Sequence, residues 1–125
     1  MTSMPIKGDI VVLDAEPHSG KEYGGHDANF VNIRRHYVVM SSTDYNQATE
    51  MVLAMPITTS DRYQNNQWYF PILINGSQNT GVKGYVVGWQ LTNFDYKLRH
   101  GQIINHISDK TYTELKRYIQ DMLDL

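Results

Sequence analysis

The stretch NIRRHYVVMSS, residues 32–42, decides how the rest of the chain is read. Tyr37, Val38, Val39 and Met40 form a short apolar run with two β-branched members, the pattern of a buried strand. Two arginines and a histidine lead directly into it. A guanidinium group cannot shed its charge and is costly to bury. Arg34 and Arg35 are therefore expected where the strand emerges, at one rim of the fold.

Working outward, similar short segments follow one another: residues 8–14 (GDIVVLD), 35–42, 51–58 (MVLAMPIT), 68–74 (WYFPILI), 84–91 (GYVVGWQL) and 101–108 (GQIINHIS). Turn-rich connectors such as TDYNQATE, TTSDRYQNNQ and NGSQNTGVKG separate them. Short strands at this spacing predict a mostly β fold, a small antiparallel barrel or sandwich. Pro71 cannot donate to a ladder, so its strand belongs at an edge or carries a bulge. After Ser108, a plausible N-cap followed by Asp109, the period changes. Tyr112, Leu115, Ile119 and Met122 recur every three or four residues, which predicts an amphipathic helix over 109–123. The connector 15–34 has no periodicity and holds three glycines; a loop of that length in a compact domain is often functional.

The 125 residues suit one domain, 1–125, and 41% hydrophobic with 19% charged residues is a globular composition. With no cysteine, disulfides, thiolate metal sites and cysteine nucleophiles are excluded. No apolar run has membrane-spanning length, and the first residues lack a signal peptide's pattern, so a cytoplasmic protein with no membrane role is expected. The net charge of −2 argues against a protein that coats DNA. The charge is uneven: residues 1–61 carry −4 and residues 62–108 carry +3, through Arg62, Lys83, Lys97 and Arg99 against Asp95. The middle of the chain has the makings of a basic surface.

The motifs exclude several chemistries. The five histidines show no H-x3-H or H-E-x-x-H spacing, so no metal site and no cofactor is expected. There is no nucleophile elbow, P-loop or dinucleotide fingerprint. What remains is arginine with hydroxyl and amide partners near strand ends: Arg34, Arg35, Thr58, Thr59 and Gln90. A guanidinium fork matches two phosphate oxygens, and hydroxyls and amides supply further hydrogen bonds. The same residues also suit a purely structural arrangement, one arginine paired with a loop acid such as Glu22 and the threonines ordinary strand positions.

Several motifs, in order, resemble the MazF/PemK toxin family. They are Gly8-Asp9, an apolar strand, Asp14 to Pro17 and Gly20-Lys21-Glu22; then the Arg-led second strand with Ser42 and Tyr45-Asn46; then Pro56-Ile57-Thr58; then GYVVGWQLTNFDYKLR, residues 84–99. The resemblance spans nearly the whole chain. It implies a small SH3-like antiparallel barrel with a C-terminal helix and a homodimer. It implies a metal-independent endoribonuclease acting on single-stranded RNA and held in check by a cognate antitoxin. Arg35, Thr58 and Glu22 take the catalytic positions; Gln90, with Arg34, His36 and Thr59 around them, takes substrate. The sequence departs from the family pattern in an insertion of about seven residues near HDANFVN, in His36 where a proline is usual, and in Trp89 where Asp is common. The first departure leaves Arg34 and Arg35 competing for one role, with the register favouring Arg35. The fold is also shared by toxins that bind a topoisomerase, so a non-catalytic binder is the alternative. Tyr63, Trp68 and Trp89 are candidate platforms for RNA bases.

Overall fold

The computed structural model describes residues 3–15 and 34–125. Seven strands and two helices run in the order β1 (Asp9–Asp14), β2 (Arg34–Val39), α1 (Thr43–Thr49), β3 (Met51–Thr58), β4 (Tyr69–Ile74), β5 (Val82–Val87), β6 (Thr92–Asp95), β7 (Gln102–His106) and α2 (Asp109–Leu123). The strands form one curled antiparallel sheet ordered β4-β5-β3-β2-β1-β7, with β6 joined to β3. It is a half-barrel closed by the C-terminal helix.

Alternation along the central strands builds two cores, one on each face of the sheet. Ile10, Val38, Met40, Met55 and Ile57 point to one face, where they meet Ile72, Val82, Val86, Ile107 and Leu115. Val11, Leu13, Tyr37, Val39, Val52 and Ala54 point to the other, with Phe94 and Tyr96. Because both faces are covered, β1 to β3 read as nearly unbroken apolar strings. Pro71 lies on β4, the sheet's edge strand, as its missing N–H requires.

Helix α2 begins as its sequence predicts. The Ser108 hydroxyl accepts from the Thr111 N–H at 3.1 Å, and Asp109 occupies the positive end of the helix dipole. Its apolar stripe covers the first core: Leu115 is fully buried there, with Tyr112, Tyr118 and Ile119 packed around it. The Tyr112 hydroxyl donates to the Met40 carbonyl at 2.7 Å, tying the helix to the end of β2.

Two elements differ from expectation. The connector TDYNQATE folds as α1, though it is less than two turns long and made of weak helix formers. Its stability is tertiary. Ser42 caps its start by accepting from the Tyr45 N–H at 3.1 Å, and fully buried Asn46 donates to the Pro5 carbonyl at 2.9 Å. Strand β6 follows the predicted 84–91 strand, which itself is shifted to 82–87. Only Phe94 of its four residues is buried, so its sequence carries no strand periodicity.

Leu115→Ala leaves a void beneath α2 and should lower unfolding stability by about 2–5 kcal/mol, read as a reduced midpoint in urea at unchanged m-value.

Candidate active site

Strand β2 sends its two arginines to opposite sides. In the β1–β2 ladder Arg34 pairs with Asp14, Arg35 with Leu13, and His36 with Val12. Paired residues share a face, so Arg35 follows Leu13 and Tyr37, while Arg34 and His36 follow the other set.

Arg34 is held by structure. Its Nη1 donates to Asp14 Oδ1 at 2.8 Å, and its Nη2 to the Val12 and His100 carbonyls at 3.2 and 2.6 Å. Asp14, itself buried, also meets His100 Nδ1 at 2.7 Å. The main chain of Asp14 is fixed in turn: its N–H donates to the Arg99 carbonyl, and its carbonyl accepts from Arg99 Nη1, both at 2.9 Å. The hydrogen bond with His100, and after it Arg34, outweigh the opposing effect of burial and hold the Asp14 carboxyl below the usual carboxylate range. This clamp fastens the end of β1 to the start of β2 and to the turn before β7. Motif reading had picked out Asp14 only as a turn residue and missed His100, because that contact spans 86 positions in sequence.

Arg35, half-buried, stands beside the site proper. The last recorded β2–β3 pair is Tyr37 with Pro56. The same register carried two residues further aligns Arg35 with Thr58 on the same face. Thr58 is only 8% exposed. Its Oγ1 accepts from the Ser60 N–H at 3.3 Å, which fixes the hydroxyl at the end of β3. On the far side of β3, Thr58 pairs with Tyr85 of β5. That approach requires Gly84: a Cβ there would lie 2.3 Å from the Thr58 carbonyl oxygen.

Gln90 lies in the turn between β5 and β6, where its N–H donates to the Val87 carbonyl at 3.3 Å. The β3–β6 ladder ends with Ala54 opposite Thr92 and the β3–β5 ladder starts with Ile57 opposite Val86, so this turn falls where β3 passes from one partner to the other. Gln90 is buried, and its Nε2 donates to Thr92 Oγ1 at 3.3 Å. Alternation thus turns Arg35 and Thr58 to one face of the sheet, and Gln90 sits in the β5–β6 turn beside the same stretch of β3. Thr59 is exposed and lines a cavity of about 590 Å³ next to Thr58.

His36 lies on the opposite face from Arg35. Burial, and then the Arg35 charge, push its imidazole pKa down, so it is neutral at pH 7. Glu22 lies outside the described residues, as do His18 and His26. Among the described residues, no group of three or more His, Cys, Asp or Glu side chains is arranged to hold a metal ion. No described helix is long and apolar enough to cross a membrane. Of the candidate aromatic platforms, Tyr63 stacks on Tyr69 at 3.9 Å and Trp68 packs against Tyr118 at 6.1 Å, while Trp89 is 37% exposed beside Gln90.

Residues 6–123 match the family described as PemK-like, MazF-like toxin of type II toxin–antitoxin system. The chain belongs to the PemK/MazF toxin family. One relative in that family, the endoribonuclease toxin MazF of Escherichia coli (strain K12), is 33% identical over 79 residues, which span 63% of this chain and 60% of that protein. The fold is that of solved family structures. MazF (Form-I) from Deinococcus radiodurans superposes with a TM-score of 0.76 at 23% identity, over 98% of each chain. A MazE–MazF structure (Form-II) from the same organism gives 0.71 at 19% identity, over 98% of this chain and 97% of that one. An endoribonuclease in complex with its cognate antitoxin from a mycobacterial species gives 0.66 at 17%, over 99% and 97%.

The clamp has a pH signature. A carboxyl held below its ordinary value near 3.8 stabilises the fold above that pH, and the contribution is lost as pH falls through the lower folded-state value. Asp14→Asn should be less stable than the parent protein at pH 6, and the gap should narrow below about pH 3.8, measured by denaturant titration across the range.

Proposed function

We propose that this protein is a metal-independent endoribonuclease that cuts single-stranded RNA, acts on messenger RNA in the cytoplasm, and is neutralised by a cognate antitoxin. The observation that carries the reading is that strand alternation turns Arg35 of β2 and Thr58 of β3 to the same face of the sheet, with Gln90 in the turn after β5. Membership of a toxin family and the name of the Escherichia coli relative support it. Similar folds solved as MazE–MazF complexes support an antitoxin partner, and a homodimer is the assembly we assign.

Without a metal, the substrate supplies its own nucleophile. The 2′-oxygen attacks the adjacent phosphorus and loses its proton to a base. The bond to the 5′-oxygen breaks, and that oxygen takes up a proton. The products are a 2′,3′-cyclic phosphate and a 5′-OH. As the phosphorane forms, negative charge grows on the nonbridging oxygens. The Arg35 fork binds those oxygens more tightly at that stage than in the ground state, which is what lowers a barrier. The Thr58 hydroxyl holds a phosphate oxygen, and the Gln90 amide and Thr59 hydroxyl contact substrate beside it. Arginine stays protonated, with a pKa above about 12, and has no free lone pair to take the 2′ proton. The 2′ proton is therefore assigned to Glu22. Arg34 and His36 support the site from the other side of the sheet, Arg34 through the clamp and His36 as a neutral, half-buried neighbour.

Arg35→Ala should lower the cleavage rate of single-stranded RNA by at least about 10²–10³-fold while circular dichroism stays unchanged. Parent protein should leave cyclic-phosphate and 5′-OH ends and be indifferent to EDTA. Full activity in the Arg35 variant rejects the assignment.

A further inference from the structure

The face that carries Thr58 continues across two more strands. Thr58 pairs with Tyr85, and Tyr85 with Pro71; one step further along β5 and β4, Lys83 pairs with Leu73. All five side chains project to the same side, because paired residues share a face and alternate residues along a strand return to it. The cavity of about 590 Å³ opens over this surface, with Thr59 and Asp61 on its wall.

The geometry points to this cavity as a subsite for a nucleotide next to the scissile phosphate, on an RNA strand that crosses β3 and runs out over β5 and β4. This inference rests on the nuclease reading of Arg35 and Thr58 and assigns new roles to Lys83, Tyr85 and Asp61. Four properties argue for a nucleotide. Lys83 is exposed and forms no ion pair among the described residues, leaving its ammonium for a phosphate. It stands two residues along β5 from the Thr58 row, about 7 Å, roughly one step of an extended backbone. Leu73 is 73% exposed beside Pro71 and the half-buried Tyr85 ring, an apolar and aromatic surface suited to the face of a base. Asp61, also on the cavity wall, is an acceptor-only group; it selects base edges that donate, such as amino groups, and repels a phosphate. The exposed cation falls within the basic middle of the chain, where sequence patterning had indicated such a surface.

The test is binding of a fluorescent 12-nucleotide single-stranded RNA carrying 2′-O-methyl groups throughout, which cannot be cut. Its sequence is taken from cleavage sites mapped with the parent protein, or is a random pool if the parent cuts nothing. Lys83→Gln should weaken binding about tenfold and reduce the salt dependence of log K by about one phosphate contact, roughly 0.7 in slope, with Lys83→Arg restoring both. Tyr85→Leu should weaken binding with the salt slope unchanged. In parallel cleavage assays, Lys83→Gln should raise KM for long RNA at unchanged kcat, and leave unaffected a dinucleotide, which lacks the second phosphate that Lys83 binds. Unchanged affinity and salt slope in Lys83→Gln overturns the subsite, as does an equal loss on dinucleotide and long RNA. A parent protein that binds the RNA through Lys83 yet cuts no RNA sinks the nuclease reading and keeps the subsite.

Discussion

The pairing of β3 on both sides at once is the constraint on which the rest depends. Its first half is hydrogen-bonded to β6, its middle to β2 and its last two residues to β5. With both edges paired and a core on each face, Val52 and Ala54 enter one core while Met55 and Ile57 enter the other. The same sharing fixes what surrounds its C-terminal end. Thr58 is paired with Tyr85 of β5, Pro56 with Tyr37 of β2, and Ala54 with both Val39 of β2 and Thr92 of β6. A one-residue slip of any partner turns that partner's side chains to the wrong face, so the site is specified by the same register that fills the cores.

The charged groups at the start of β2 divide their labour through the same alternation. Arg34 is absorbed by the Asp14 carboxylate and the Val12 and His100 carbonyls, which settle its charge in three hydrogen bonds. Its neighbour Arg35 is turned to the Thr58 face. The clamp is thus more than local stabilisation. It joins the end of β1, the start of β2 and the turn before β7, and so sets where β2 begins and which of its residues faces the site.

Much of this was legible before any coordinates. The apolar strings of β1, β2 and β3, the proline on an edge strand, and the capped helix from Asp109 to Leu123 all follow from local patterns strong enough to stand alone. Arg35, Thr58 and Gln90 were singled out through motif order, and their role stands as a proposal. Helix α1 and strand β6 were not found, because neither has a periodic pattern. One is held by a capping serine and a buried asparagine, the other by an edge of β3. Motif register favoured Arg35 over Arg34, but only the ladder shows Arg34 held by Asp14 and the two turned to opposite faces.

What the sequence by itself determined is the set of elements whose information is local: alternation and β-branching for the strands, a 3.6-residue period and a serine cap for the helix, and an arginine placed before a buried strand. What only the tertiary structure decided is which of these meet. The pairing of Asp14 with His100, that of Thr58 with Tyr85, and the open surface that ends at Lys83 each join residues far apart in sequence. The physical reason is that hydrophobic patterning states which side of a strand is buried, whereas the partner across it is chosen by ladder register and by the close approach that a glycine such as Gly84 permits.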